Sequence, residues 1–375
     1  MRAALIALLA LIATGAASAE PAKVGKLKPD SAVVFLSGSA GGKDQFGFTP
    51  QEIFAAAIDG RDVVQLTFSG YTHNHLAVSP NRRYIASNRY VRGDTTGDGR
   101  LAADDFKQMW VIDLETGREW PIAKDMDGGI GGIAWSPDSK WIYFASWTDQ
   151  AHHTLYQDRM DIYRATVDGR TVQPLTHNLP ALMGETDPRK FVSDTAVSHD
   201  GKWIAMDYKP AAMLSPTASK ARIGLMRVDG SAARVLTDGG PEPPQMRGRF
   251  GIGDTDPDFS PDGKRVVFTR STKLGYVFKG AYHAEGLSTQ DLLVVDIDGR
   301  NLKNLSPQPN MDTYGVPSWG DNCKILYTLW TDRPKSHRLA QYMNSDGTGV
   351  TSIEGLPDDI NKVQWLPGLK PDHPC

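Results

Sequence analysis

The sequence is poor in cysteine, with only Cys323 and Cys375 in 375 residues, which excludes a fold held together by several disulfides. In an oxidising compartment these two cysteines could pair or stay free, and the sequence favours neither state. A dominant charge is also lacking, because 41 basic residues stand beside 44 acidic ones without a long run of either sign. This balance argues against nucleic acid or an anionic membrane as the main partner.

Long hydrophobic runs are missing except for one at the N-terminus. The apolar stretch from Ala3 to Ile12 is shorter than the ~20 residues of a membrane span, and small residues ending in Ala17-Ser18-Ala19 follow it. This pattern is typical of a secretory signal peptide with cleavage after Ala19. We therefore predict a signal over residues 1–19, a periplasmic or secreted mature protein, and a linker over residues 20–30.

Local motifs of catalysis are missing as well. The sequence has no G-x-S-x-G nucleophile elbow, no phosphate-binding glycine loop and no dinucleotide fingerprint. These absences favour a binding protein over an enzyme.

A repeated strand–turn–strand motif dominates the mature sequence, and such repeats indicate a repetitive architecture. Each copy has a Ser-Pro-Asp-Gly-type turn before a strand rich in β-branched and aromatic residues. The copies are "LAVSPNRRYIAS", "IAWSPDSKWIYFAS", "TAVSHDGKWIAMDY", "PDFSPDGKRVVFTR" and "PSWGDNCKILYTLW". Their equivalent positions Val78, Trp135, Val197, Phe259 and Trp319 are separated by 57, 62, 62 and 60 residues.

A second motif, a hairpin with a tight turn, alternates with the first. Its six copies turn at Gly60, Gly117, Gly169, Gly230, Gly299 and Gly347. Asp-Gly and similar pairs supply the positive φ that such turns need. The two motifs together predict a four-stranded antiparallel unit.

One copy of the first motif is divided between the ends of the chain. "KVQWLPG" (Lys362 to Gly368) matches its first strand and "SAVVFLSG" (Ser31 to Gly38) matches its second. A unit shared by the termini closes a ring and removes exposed sheet edges. We therefore predict an all-β fold: a six-bladed β-propeller of four-stranded antiparallel blades over residues 31–368, followed by a tail over residues 369–375.

These turns and hairpins resemble the TolB-type β-propeller repeat, whose signature is a W-S-P-D-G turn followed by an I-Y-x-x-D-x-D-G hairpin. The resemblance covers nearly all of the mature chain. It implies an exported propeller that binds other molecules, here without the N-terminal α/β domain of the periplasmic TolB protein.

An acidic, glycine-rich loop, "DTTGDGRLAADD", interrupts one predicted hairpin at residues 94–105. Oxygen-bearing side chains stand at loop positions 1, 3, 5 and 12, and position 7 offers only its backbone carbonyl; these residues are Asp94, Thr96, Asp98, Asp105 and Arg100. The spacing resembles EF-hand and dockerin-type loops, which bind Ca²⁺ through such oxygens. We predict a structural calcium site here, with a solvated acidic turn as the alternative.

Residues just before each innermost strand are expected to line the mouth of the propeller channel. Three positions before the repeat marker stand His75, Gly132, Asp194, Asp256, Val316 and Lys362, and five positions before it stand His73 and Asp254. We predict a polar site at the channel mouth formed by His73, His75, Asp194, Asp254, Asp256 and Lys362. Because His and Asp bind transition metals, a second metal is one use of this site, and a hydrated channel mouth is the other.

Long loops are predicted on the face of the propeller opposite the short turns, and binding specificity usually resides in such loops. We therefore predict a non-enzymatic module that binds a protein, peptide or cell-envelope ligand on this loop-rich face. The alternative is a metal-dependent polysaccharide lyase, similar to propeller oligogalacturonate lyases. Its base and substrate-binding cation would come from His73, His75 and Lys362 or Arg249.

Overall fold

The computed structural model describes residues 23–95, 97, 99–101, 105–124, 126, 131–147, 160–186, 190–210, 220–240, 252–271, 276–278, 283–284, 290–307, 313–331 and 337–370. In these residues the chain is almost entirely β-structure, with one short helix, α1 (Leu179–Leu182). The predicted signal peptide lies outside the described residues. Within them, no helix is long and apolar enough to cross a membrane.

The strands of the first half are β1 (Ser31–Ser37), β2 (Glu52–Ala57), β3 (Val64–Gln65), β4 (His73–Val78), β5 (Tyr84–Tyr90), β6 (Lys107–Asp113), β7 (Glu119–Ile122), β8 (Ala134–Trp135), β9 (Trp141–Trp147), β10 (Met160–Thr166), β11 (Val172–Pro174), β12 (Lys190–Val197) and β13 (Trp203–Pro210). Those of the second half are β14 (Lys220–Arg227), β15 (Arg234–Val235), β16 (Ile252–Phe259), β17 (Arg265–Ser271), β18 (Tyr276–Phe278), β19 (His283–Ala284), β20 (Gln290–Asp296), β21 (Lys303–Asn304), β22 (Thr313–Trp319), β23 (Lys324–Thr331), β24 (His337–Asn344), β25 (Thr351–Ser352) and β26 (Asn361–Trp365).

The strands form a β-propeller in which the ends of the chain meet in one sheet. Strand β26 pairs with β1 in a four-stranded sheet of order β26-β1-β2-β3, through partners such as Val33 and Trp365. Two further four-stranded sheets have the orders β4-β5-β6-β7 and β11-β10-β9-β8. The remaining long sheet has 12 strands and runs from β12 to β25, and β18 and β19 form a separate ribbon.

The predicted count of six separate blades is wrong. The described strands form four sheets of at least four strands, a four-bladed arrangement when each continuous hydrogen-bonded sheet counts as one blade. Three sequence repeats merge into the 12-stranded sheet through short parallel pairings of β14 with β16 and of β20 with β22. Strand ends that run side by side pair their free N–H and C=O groups. The spacing of the repeats gives the number of repeated units in the sequence. It contains no information on hydrogen bonds between the strands of neighbouring units.

The recurrent Ser of the turn motif and the recurrent Thr or Ser of the hairpin motif are explained by hydrogen bonds. Ser79 Oγ accepts the N–H of Tyr84 at 2.9 Å and thereby closes the turn. At the end of the hairpin motif, a hydroxyl accepts the N–H of the second, third or fourth residue in the preceding long strand; these pairs are Thr67 with Ile53, Thr176 with Ile162, Thr237 with Ile223, and Ser306 with Leu292. These residues therefore recur for reasons of folding.

The hydrophobic core is divided into clusters, each packed between neighbouring sheets or between repeats of the long sheet. Between the first and last sheets, Phe35 and Phe54 stack with ring centroids 5.8 Å apart and pack with Leu326 of β23. The alternation of buried and partly exposed residues typical of a one-faced sheet is weak, because strands such as β1 are buried on both faces. This packing holds the inner strands around a central cavity.

Candidate functional site

The central cavity has a volume of about 380 Å³ and is lined by the inner strands β4, β8, β12, β16, β22 and β26. The six residues aligned three positions before the repeat marker, His75, Gly132, Asp194, Asp256, Val316 and Lys362, all belong to its lining. The cavity continues to the short Ser-Pro-type turns at Pro80, Pro137 and Pro367. The repeat alignment therefore located a ring of residues that the fold brings together.

A β-bulge at this position directs the ring residues into the cavity. Asp194, Asp256, Val316 and Lys362 have positive φ angles of 38, 55, 45 and 48°. Strand pairing slips at the same places, since β12, β16, β22 and β26 each carry one extra residue there. Bulges re-aim side chains, and left-handed backbone is costly for a β-branched residue such as Val316.

Two carboxylates of the ring face basic groups at distances longer than a hydrogen bond. Asp194 Oδ1 lies 3.9 Å from His75 Nε2 and accepts the Gly132 N–H at 2.8 Å. Asp256 Oδ1 lies 4.0 Å from Lys362 Nζ, and Asp256 Oδ2 accepts the hydroxyl of Thr255 at 3.2 Å. Asp256 Oδ2 also accepts the hydroxyl of Thr269 at 3.3 Å, and Asp194 hydrogen-bonds the side chain of Asp207. The ring is therefore charged but not closed by tight ion pairs.

A third carboxyl group, Asp207 of β13, lies behind this ring and was missed by the sequence analysis. Asp207 is buried and accepts the backbone N–H of Asp256 at 3.0 Å. Burial and the nearby Asp194 raise the pKa of Asp207 well above its usual value. Burial and then Asp256 raise the pKa of Asp194 to about 6. An acidic residue inside the strand "WIAMDY" was the signal that could have revealed it.

Three polar atoms of lining residues have no hydrogen-bond partner among the described residues: His75 Nδ1, Thr195 Oγ1 and Trp319 Nε1. Thr195 is 5% exposed and His75 is 7% exposed, so protein rather than bulk solvent surrounds both. Burial, followed by the charges of Lys362 and Lys107, lowers the pKa of His75 well below its usual value. His75 is therefore a neutral imidazole with an unused ring nitrogen at the cavity.

His73 and Asp254 were predicted at the channel mouth, but the structure places neither in the cavity lining. His73 is 1% exposed, and its ring nitrogens hydrogen-bond the hydroxyls of Ser87 at 2.7 Å and Ser69 at 3.0 Å. Asp254 is fully buried and binds Arg270 through both carboxylate oxygens. The bulges break the two-residue periodicity of β4 and β16, so residues two positions apart do not share one environment.

The opposite end of the cavity carries an ion pair between two turns. His199 Nε2 lies 3.1 Å from Asp321 Oδ1, and both residues stand where other copies of the turn have proline. This hydrogen bond, together with the charges of Asp258 and Asp321, raises the pKa of His199 although burial lowers it. Burial also raises the pKa of Asp258 to about 6.

Part of the predicted calcium loop can be described. Asp94 accepts the backbone N–H groups of Gly97 and Gly99, while buried Asp105 accepts the N–H of Thr95 at 2.6 Å. Arg100 is exposed, and the predicted ligands Thr96 and Asp98 lie outside the described residues. Among the residues that are described, no group of three or more His, Cys, Asp or Glu could hold a metal ion.

The possible disulfide between Cys323 and Cys375 is only partly within the described structure. Cys323 is 6% exposed in the β22–β23 turn and is not a free thiol. Cys375 lies outside the described residues, so the pairing of Cys323 with Cys375 stays one of the two alternatives that the sequence leaves open.

Comparison with known proteins gives relatives at the level of fold. No family model matches the sequence. An uncharacterised protein of Agrobacterium fabrum is 27% identical over 167 residues, which are 44% of this chain and 48% of that protein. The matched segment thus spans about half of that relative.

Solved structures match over most of the chain. TolB of Acinetobacter baumannii has a TM-score of 0.58 at 17% identity, over 90% of this chain and 66% of that one. A putative TolB of Agrobacterium tumefaciens has a TM-score of 0.54 at 15% identity, over 90% and 98% of the two chains. A chain of the nidogen/laminin complex has a TM-score of 0.52 at 10% identity, covering 89% of this chain and 98% of that chain. The protein therefore has the β-propeller fold of the TolB-type proteins.

Proposed function

We propose that the protein is an exported, non-enzymatic binding module that holds a peptide segment of a partner protein in the central cavity. The observation that carries this proposal is the charged ring of His75, Asp194, Asp256 and Lys362 in a cavity of about 380 Å³. Cavities of this size bury small ligands or a few residues of a chain. Export is supported by the signal-like N-terminus.

The structural neighbours support a binding role. One of them was solved as part of a complex between two proteins, nidogen and laminin. The loop-rich face stays part of the proposal as the outer contact surface, because loops on a rigid scaffold commonly supply specificity. Most of those loops, including residues 148–159 and 241–251, lie outside the described residues.

No arrangement in the described residues favours the lyase alternative. His73 and His75 were to act together, but His73 is held by two serine hydroxyls away from the cavity. Arg249 lies outside the described residues. The proposed function is therefore ligand binding, without a catalytic step.

Filling the cavity should abolish peptide capture. Gln364 lines the cavity and is partly exposed, so Gln364→Trp would place a large ring in the binding space. We expect a random peptide library displayed on phage to yield sequences enriched by the wild-type protein. Their binding to Gln364→Trp should be weaker by about 100-fold or more, since bulk in a packed site excludes the ligand.

Arg170→Trp is the matched control, because Arg170 is an exposed residue of the β10–β11 turn outside the cavity lining. This variant should bind the selected peptides as the wild-type protein does. Equal capture by wild type and Gln364→Trp, or no enriched peptides, would contradict the proposal. Circular dichroism and thermal melting establish that both variants are folded.

We further propose that the loop at residues 94–105 binds one structural Ca²⁺ through Asp94, Thr96, Asp98, the Arg100 carbonyl and Asp105. Support comes from the spacing of these oxygens. It also comes from Asp94, whose carboxylate accepts the backbone N–H groups of two loop residues, Gly97 and Gly99. Ionised carboxylate oxygens have further lone pairs for a cation.

Calcium removal should therefore lower the free energy of unfolding without abolishing ligand binding in the central cavity. We expect one Ca²⁺ per chain by elemental mass spectrometry and a loss of about 2–4 kcal/mol of unfolding free energy when a chelator removes saturating ion. Asp98→Ala should lose the ion, whereas Asp168→Ala in an exposed turn should keep it. Stoichiometric calcium retained by Asp98→Ala would refute this assignment.

A further inference from the structure

The end of the cavity formed by the ring carries two carboxyl groups and one cationic side chain. Asp194 and Asp256 line it, and buried Asp207 lies directly behind them. Asp207 hydrogen-bonds Asp194 through its side chain, and its strongly raised pKa makes it the neutral partner of that pair. The charge of the ring therefore comes from Asp194 and Asp256, and Lys362 lies 4.0 Å from Asp256. Asp194 and Asp256 destabilise one another's charged forms, so an added cation would relieve the repulsion.

Two of the three unpartnered polar atoms in the lining belong to ring residue His75 and to Thr195, the neighbour of Asp194, and they point to a ligand independently of the carboxyl groups. Thr195 Oγ1 and His75 Nδ1 lie in the lining without a partner among the described residues. An unsatisfied buried polar atom costs free energy, so such atoms in a cavity commonly mark the place where a ligand completes the hydrogen bonding. If the His75 Nε2–H faces Asp194, the neutral ring offers Nδ1 as one more acceptor.

The spacing of the groups favours an organic cation over a metal ion. A metal needs several ligand atoms at about 2.0–2.6 Å, and no three acidic, His or Cys residues of the described chain are placed for this. An ammonium group on a carbon chain needs hydrogen-bond acceptor atoms at about 2.8–3.0 Å from its nitrogen. It also donates three hydrogen bonds, which matches a site with several free acceptors.

We propose that Asp194 and Asp256, assisted by Thr195 and His75, bind a primary ammonium group of the ligand. If the ligand is a peptide, as the proposed function holds, this group is a lysine side chain or an amino terminus. The peptide nature of the ligand rests on the proposed function, whereas the ammonium site rests on the cavity itself.

Binding should weaken in acid because Asp194 loses its charge. The pKa of Asp194 is raised to about 6, so this carboxylate is charged at pH 7.5 and mostly neutral at pH 5. A primary ammonium group stays charged at both values. The other groups that act on Asp194, His75 and Asp207 are Asp256, Lys362, Lys107 and Lys209. Of the titrating groups, His75 is held neutral by burial, so the acid loss is assigned to the carboxyl groups.

The test uses n-butylammonium as a probe, with n-butanol as its uncharged match. Saturation-transfer NMR on the full-length mature protein should detect n-butylammonium with a Kd of roughly 1 mM, and no binding of n-butanol. Asp194→Asn and Asp256→Asn should each weaken binding by about tenfold or more. Asn keeps an acceptor oxygen and tolerates positive φ, so both variants are expected to fold. Asp262→Asn, in an exposed turn, is the control and should bind as wild type.

The pH series and the selected peptides complete the test. Affinity for n-butylammonium should fall at least about fivefold between pH 7.5 and 5. For selected peptides, N-terminal acetylation or replacement of lysine by norleucine should remove binding and thereby identify the source of the ammonium group. Binding of n-butanol equal to that of the amine, or a pH-independent affinity, would overturn the ammonium site. Peptides that bind without any amine would overturn it too but leave the proposed function intact. Amine binding without any peptide ligand would overturn only the proposed function.

Discussion

We expect Asp254→Ala to lower the free energy of unfolding by about 3–5 kcal/mol, because it removes one partner of a buried ion pair. Asp254 is fully buried, and its Oδ1 and Oδ2 lie 2.6 and 2.8 Å from Nε and Nη2 of Arg270. The same carboxylate accepts the N–H of Gly239 at 3.0 Å. The substitution would leave a guanidinium with 10% side-chain exposure facing an apolar gap.

Asp238→Ala is the matched control, because Asp238 contacts the same arginine from the surface. Its Oδ1 lies 3.1 Å from Nη2 of Arg270, but its side chain is 82% exposed. An exposed pair of this kind contributes about 0.2–1 kcal/mol. Urea denaturation of both variants measures the difference. A loss below about 1 kcal/mol for Asp254→Ala would show that Arg270 reaches solvent or Asp238 instead.

This result also separates a folding residue from a binding residue. Asp254 and Asp256 are both aspartates two positions apart in β16, yet of the two only Asp256 lines the cavity. Under conditions where Asp254→Ala is still folded, it should therefore bind n-butylammonium as the wild-type protein does. Asp256→Asn should show the reverse, with weaker binding and a small change in stability.

We expect Asp161→Ala to cost about 3–5 kcal/mol as well, because Asp161 ties two sheets together through a buried lysine. Asp161 Oδ1 of β10 lies 2.7 Å from Nζ of Lys190 in β12, and their side chains are 2% and 5% exposed. The hydroxyl of Thr176 donates to the same oxygen at 2.7 Å. Loss of the carboxylate would leave the Lys190 charge buried between the sheets.

A double-mutant cycle measures how strongly this pair is coupled. Asp161→Ala, Lys190→Met and the double variant should give a coupling free energy of about 2–3 kcal/mol, since each single variant strands a buried charge. The exposed pair of Asp168 and Arg170, at 3.4 Å with side chains 55% and 87% exposed, is the control. Its cycle should give below about 0.5 kcal/mol. Similar coupling free energies in both cycles would mean that burial does not strengthen the Asp161–Lys190 ion pair between the two sheets.

Much of the local structure was readable from the sequence because it depends on nearby residues. The Ser of four of the five turns and the Thr or Ser after four of the six hairpins recur since their hydroxyls bond backbone groups a few positions away or on the next strand. The repeat alignment also identified ring positions such as His75, Asp194 and Lys362, because equivalent residues of a closed ring approach its axis. These inferences needed only repetition and the alternation of strands.

The sequence did not predict which side chains outside the aligned ring positions face the cavity and which are buried behind it. The bulges between His73 and His75 and at Asp256 each add one residue to their strand, and a shift of one residue exchanges the two faces of a strand. For this reason His73 and Asp254 lie behind the ring, although their spacing from the repeat marker is regular. Asp207 was missed because its position in the middle of a strand gives no indication of which carboxyl group it will meet.

The all-β propeller fold and the ring positions of His75, Asp194, Asp256 and Lys362 follow from the sequence, because repetition of period about 60 with matched turns specifies repeated antiparallel units. The joining of those units into sheets follows only from the tertiary structure, since the parallel pairings of β14 with β16 and of β20 with β22 depend on where connecting segments bring strand ends together. The tertiary structure also determines which carboxyl groups face the cavity and which form hydrogen bonds and ion pairs with buried partners. Burial, charge and hydrogen bonding across distant strands set that outcome, and none of these is a property of neighbouring residues.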